Sequence, residues 1–249
     1  MIILLFLFII IIFSGFKYNS KGYSDYLDKS QTNAIRGIFA IIIFFNHFGT
    51  YLPNLGNGFG DNIYYKIITT IGQLMVAPFL FYSGYGIYVS AKKKGKDYIT
   101  HFPKRRILKV FIFFATAVLL FLMLAFIRGN EYSPLHIILA FTGWTSLGNS
   151  NWFIFAILIL YIITYFCTLF TKKEICLKTI LYITLLSIVY ILVVNHLKNG
   201  ATYWTDTILT FSGGMLYANY KEKLDKVFKN EISTLPLWKH SCFCYSLYC

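Results

Sequence analysis

Three residues able to carry chemistry stand in stretches otherwise built from apolar side chains: Arg36, His47 and Asp206. An arginine or aspartate at the centre of a membrane helix costs roughly 2.5–3.5 kcal/mol on insertion scales, so each needs a reason to be there. A guanidinium presents a planar fork of donors that matches a phosphate or carboxylate. An imidazole, with an ordinary pKa of about 6.5, exchanges a proton near neutral pH. A carboxylate beside it can fix its tautomer and stabilise the imidazolium. Arg36 and His47 are eleven positions apart. At about 100° and 1.5 Å per residue, that spacing returns to within ~20° of the same helix face and separates the two by ~16 Å along the axis. One stripe would then hold an anion-binding group and a base at two depths. The plain alternatives are a snorkelling anchor for Arg36, a histidine bonded within the bundle for His47, and a solvated helix end for Asp206. The other histidines are weaker candidates: His101 in a basic loop, His136 and His196 near span ends, and His240 in the tail.

The surrounding composition says what kind of body positions these residues. Of 249 residues, 57% are hydrophobic, 20% aromatic and 13% charged, against about 25% charged in ordinary globular chains. That balance excludes most soluble folds. Apolar residues run the whole length, which excludes disordered and nucleic-acid-tail readings despite the net charge of +13, and no nucleic-acid partner is expected. The five cysteines have no zinc spacing, and no metal or disulfide framework is expected from them.

A bilayer core about 30 Å thick requires roughly 20 apolar residues of helix. Six stretches approach this: 34–52, 67–90, 107–127, 152–170, 179–197 and 203–220. Residues 1–16 make a short seventh. They are read as a retained, marginal span and not as a secretory signal, because no basic residue precedes the apolar run and no small-residue cleavage site follows. Leu135 to Leu147 is shorter and contains Gly143, which fits a re-entrant or interfacial helix. The expected fold is therefore all-α, a polytopic transmembrane bundle of about seven spans plus one such helix, forming a single unit over 1–249. Pro78, mid-span in 67–90 with Gly84 and Gly86 after it, predicts a kink.

Lys and Arg in successive connections number three (17–33), one (53–66), eight (91–109), one (128–134), three (171–178), one (198–202) and four (221–229). Short basic loops stay cytoplasmic. The alternation holds only if Leu135 to Leu147 does not cross, so charge decides what hydropathy leaves open. On this topology Arg36 lies at the inner surface, His47 in the outer half of the bilayer, and Asp206 just inside the outer end of its span.

The segment NAIRGIFAIIIFFNHF, carrying Arg36 and His47, resembles acyltransferase family three, the integral membrane acyltransferases that modify cell-surface and secreted glycans. FLFYSGYGIY resembles that family's Phe-rich Ser-Gly-Tyr segment, at Ser83, Gly84 and Tyr85. FPKRRILKVF resembles its basic cytoplasmic loop leading into the next helix, and NWFIFAILILY its Trp-led span. The similarity runs in order from about Tyr26 to Lys223.

The resemblance implies an acyl-CoA donor, acetyl-CoA above all, used as a substrate and not as a tightly bound cofactor. It implies a glycan hydroxyl as acceptor, and a multi-pass protein of a bacterial cytoplasmic membrane. Donor phosphates would suit Arg36, Arg105, Arg106 and Lys109 with the lysines at 92, 93, 94, 96 and 104. Ordinary positive-inside topology and attraction to anionic lipid, ~1 kcal/mol per basic residue, explain the same cluster without a donor. His47 would act as general base, with Asp206 its candidate carboxylate. Ser83, Tyr85, Asn151 and Trp152 are candidate substrate contacts, although Trp144, Trp152 and Trp204 equally suit an outer interfacial belt. Lys109 stands where family members often carry a second arginine, which keeps the charge without the fork. The family generally has about ten spans, so the chain is expected to lack C-terminal spans, with 235–249 (three cysteines in SCFCYSLYC) an atypical tail. A transporter or flippase, and an inactive membrane fragment, stay open as alternatives.

Overall fold

The computed structural model describes residues 27–49, 61–64, 66–67, 74–171 and 174–234, together with residues 6 and 10. The span read at 1–16 and the tail at 235–249 lie outside the described residues, residues 6 and 10 excepted. The ordered elements are helical: α1 (Lys29–Gly49), α2 (Ala77–Thr100), a π-helical turn (Pro103–Leu108), α3 (Lys109–Ile127), α4 (Pro134–Thr142), α5 (Trp152–Phe170), α6 (Leu177–Leu197), a 3-10 turn (Thr202–Trp204) and α7 (Leu209–Thr234). Among the described residues there is no strand.

Three of these helices are long and apolar enough to cross a membrane: Pro103–Ile127, Trp152–Phe170 and Leu177–Leu197, with mean hydropathies of 3.0, 2.5 and 2.3. Among the described residues that is fewer than the expected total of about seven spans; the one at 1–16 lies outside them, and for the other three the reasons are local. Helix α1 dilutes its apolar run with Arg36, Asn46 and His47. Helix α2 begins at Ala77 and not at 67, and its last third carries Lys92, Lys93, Lys94 and Lys96. Helix α7 begins at Leu209, six residues after the expected start at 203, and turns charged from Lys221 onward, where Lys221 pairs with Asp225 at 2.9 Å. The kink expected at Pro78 is also absent. Pro78 lies in the first turn of α2, where its missing N–H is no loss. The break comes at Gly95, whose φ of 58° and ψ of −144° fall in a region that essentially only glycine tolerates.

Helices α2 and α7 run parallel and in register. Thr210 donates to the Ala77 carbonyl at 3.2 Å near their starts, and Tyr88 donates to Asn219 Oδ1 at 2.6 Å further along. Between these bonds two glycines let the backbones touch. A Cβ on Gly84 would collide with the Phe211 carbonyl, and one on Gly214 would lie 2.9 Å from the Phe81 carbonyl carbon and 3.0 Å from the Tyr85 nitrogen. Small residues at such crossings replace the hydrophobic drive that lipid cannot supply. Helix α5 runs through the centre, with Ala156, Ile157, Leu160, Tyr161, Thr164 and Thr168 buried, whereas α3 leaves Phe113, Leu120, Met123 and Phe126 exposed at the periphery.

Helix α4 has nine residues, about 14 Å at 1.5 Å per residue, too short to cross. Ser133 caps it by accepting from the His136 N–H at 3.3 Å, and Gly143 ends it in the left-handed conformation at φ 82°. It lies at the end of the bundle where Lys198 donates to the Trp144 carbonyl at 2.9 Å, with its ammonium 3.7 Å from the Trp144 ring and 4.3 Å from the Trp204 ring. Burial there pulls the Lys198 ammonium below the usual lysine range. The connections 128–151 and 198–205 therefore share one end. Cys176 lies toward Tyr88, whose ring Lys92 also meets, at the opposite end, as the alternating basic count requires. Single cysteines introduced into a cysteine-free background at positions 148 and 174 should thus be labelled from opposite sides by an impermeant reagent. Residue 148 should react from outside, and 174 only after permeabilisation. Protection of 148 together with external labelling of 174 would show that Leu135 to Leu147 crosses.

Candidate functional site

The break at Gly95 decides where the basic loop goes. Beyond it the chain does not trail into solvent: Tyr98, Ile99 and Phe102 turn back under the bundle and are 4%, 1% and 1% exposed. The Phe102 ring meets Tyr161 edge-on at 5.8 Å and stacks on Tyr165 at 6.4 Å, both on the central helix α5. The π-helical turn follows, a wide turn that is frequent at functional sites. From it the Arg106 side chain reaches back so that Nε donates to Tyr98 Oη at 3.1 Å, while the guanidinium faces the Tyr161 phenol. Tyr161 shares a 2.7 Å hydrogen bond with Ser83 of α2.

Arg36 approaches the same place from α1. Its Cζ stands 5.4 Å from the centre of the Tyr82 ring, a cation–π contact, and it feels the charge of Arg106 and the oxygen of Tyr161. Its Nε is buried and has no hydrogen-bond partner among the described residues. Two guanidiniums from separate elements thus act electrostatically on one another and on the Tyr161 phenol, and neither has a carboxylate partner among the described residues. An arrangement of this kind repels itself unless an anion completes it.

The expected residues divide cleanly. Arg36, Arg106 and Ser83 come together. Arg105 and Lys109 are exposed, as are Lys92, Lys93, Lys94, Lys96 and Lys104, so the structure selects one arginine out of a basic loop that composition could not resolve. Tyr85 packs against Tyr217 of α7 at 6.4 Å. Asn151 is occupied at the other end of the bundle, where its Nδ2 donates to the Gly143 carbonyl at 2.8 Å. Trp152 lies beside it, edge-on to Tyr203 at 6.1 Å. His47 is exposed near the C-terminal end of α1. Asp206 is exposed in the turn at 205–208, before α7 begins and not within it.

Tyr82, Tyr98 and Tyr161 were not among the sequence candidates. Tyr161 had a usable signal, since a hydroxyl at the middle of an apolar span needs a partner. Tyr82 had only its place beside Ser83. Tyr98, in a polar stretch behind four lysines, had none.

A family model described as an acyltransferase domain matches residues 25–249 and so takes in every residue of the cluster. No curated protein and no solved structure gives a significant match.

Proposed function

We propose a donor and an acceptor from the premise that this chain belongs to acyltransferase family three and is a membrane-embedded acyltransferase. The donor is cytoplasmic acyl-CoA, acetyl-CoA first, and the acceptor is a hydroxyl of a cell-surface or secreted glycan outside a bacterial cytoplasmic membrane. The observation that carries this reading is the approach of Arg36 and Arg106 to one another without a carboxylate partner among the described residues. Donor phosphates are the anions such a pair suits, because guanidiniums bind phosphate oxygens through charge-assisted, often bidentate bonds. The pair lies toward the basic end of the bundle, where a cytoplasmic donor arrives.

His47 lies ~16 Å further along the same helix, and we assign it the acceptor end of the reaction. Its imidazole takes the proton of the sugar hydroxyl as that oxygen attacks the thioester carbonyl. The tetrahedral intermediate collapses with cleavage of the carbon–sulfur bond, and the imidazolium returns the proton to the departing thiolate. Ester and free CoA are the products, and the base is regenerated. In this reading Asp206 is the carboxylate that steadies the imidazolium. Asp206→Asn separates this role from a surface one: a fall in turnover at unchanged expression supports it, and unchanged turnover removes Asp206 from the mechanism.

Release of free CoA from acetyl-CoA, dependent on an added glycan acceptor, tests the whole reading. Acceptor movement without CoA release would make the protein a transporter instead. Within the basic loop, Arg106→Ala should weaken acyl-CoA binding by roughly tenfold or more, as expected for loss of a charged hydrogen bond, whereas Arg105→Ala and Lys109→Ala should stay within about twofold. Equal effects at all three positions would mean that only the summed charge of the loop matters.

A further inference from the structure

We propose that Tyr98 and Tyr161 are positioning residues that aim the Arg106 guanidinium at the same point as Arg36 without neutralising it. The inference rests on the acyl-CoA reading above and adds to it the way in which the donor's anion is met by undiminished charge.

A half-buried arginine is ordinarily held by a carboxylate, which fills the guanidinium fork and cancels its charge. Arg106 is held differently. Tyr98 Oη accepts from Nε at 3.1 Å, and the Tyr161 phenol faces the same group. A phenol is a neutral acceptor, so the remaining N–H groups and the full positive charge are left for an incoming oxyanion. Both phenols are themselves fixed. The Tyr98 ring is buried edge-on against Phe102 at 5.9 Å, and Phe102 in turn meets Tyr161. The Tyr161 oxygen is bonded to Ser83, the residue after Tyr82, whose ring carries Arg36. The two arginines are therefore joined through the neutral groups Tyr82, Ser83 and Tyr161, and Tyr98 holds Arg106 from its other side. Rigid acceptors lower the ordering cost of bringing two like charges together before a ligand arrives.

The test is equilibrium binding of free CoA to the full chain in nanodiscs of zwitterionic lipid, with the thermal midpoint recorded for each variant. Tyr98→Phe and Tyr161→Phe keep both rings and remove only the hydroxyls. Each should weaken CoA binding by about five- to tenfold with the midpoint unchanged. Because the tyrosines act through Arg106, adding either to Arg106→Ala should cost nothing further. Wild-type CoA affinity in both Phe variants, losses that add to Arg106→Ala, or a lowered midpoint with unaltered affinity would overturn the proposal while leaving the donor reading in place. Wild-type CoA affinity in Arg36→Ala and Arg106→Ala would overturn the donor reading and this inference with it.

Discussion

His47→Ala should reduce acyl transfer by about 10²–10⁴-fold, the usual contribution of a positioned general base, while acyl-CoA binding stays close to wild type. The separation follows from helix geometry. Arg36 and His47 share α1 but stand ~16 Å apart along its axis, so removing the imidazole does not disturb the guanidinium. Arg36→Ala should behave in the opposite sense, raising the donor requirement more than it lowers the rate at saturating donor. Arg36→Lys should recover part of the loss, because a point charge survives although the fork does not. A snorkelling anchor predicts another pattern, in which lysine replaces arginine at little cost and expression suffers before kinetics. Donor binding and transfer rate measured side by side distinguish the two. Normal turnover in His47→Ala at wild-type expression would sink the base assignment.

The largest structural effect is expected at the crossing of α2 and α7. A methyl group added to Gly84 meets the backbone carbonyl of Phe211, and one added to Gly214 meets the backbone of Phe81 and Tyr85. A flexible side chain could turn aside, but a carbonyl held in a helix cannot. The two helices must part, at a cost on the order of 1–3 kcal/mol for a single methyl and more for a larger side chain. Gly84→Ala and Gly214→Ala should lower the thermal midpoint in detergent, and Gly84→Leu should fail to purify as a monodisperse species. The neighbours supply the controls: Gly86 and Gly213 lie in the same helices with nothing within 4 Å of an added Cβ, so alanine there should be neutral or slightly stabilising. Separation of the helices would also draw Ser83 away from Tyr161, so donor binding should fall together with stability. Equal midpoints for Gly84→Ala and Gly86→Ala would show that the crossing is looser than described.

The all-helical fold, the shortness of the helix at 134–142, and the placing of Arg36 and His47 on one helix were legible in the sequence. The helices follow from hydropathy summed over a window, and the short one from its length, Gly143 and the alternation of basic loops along the chain. Family membership was legible through short motifs in fixed order. The late starts of α2 and α7, the break at Gly95 and the choice of Arg106 over Arg105 and Lys109 were decided by the tertiary structure alone. Hydropathy cannot distinguish an apolar stretch that is helical from one that forms turns buried against its neighbours, which is why 203–208 read as span. A glycine among lysines carries no sign that the chain after it turns inward. Three basic residues within five positions look alike until a neighbouring element supplies acceptors. For Arg106 those acceptors are Tyr98 before it and Tyr161 more than fifty residues after it, joined only when the chain folds back beneath α5. Sequence placed the cations, and packing determined which of them meet.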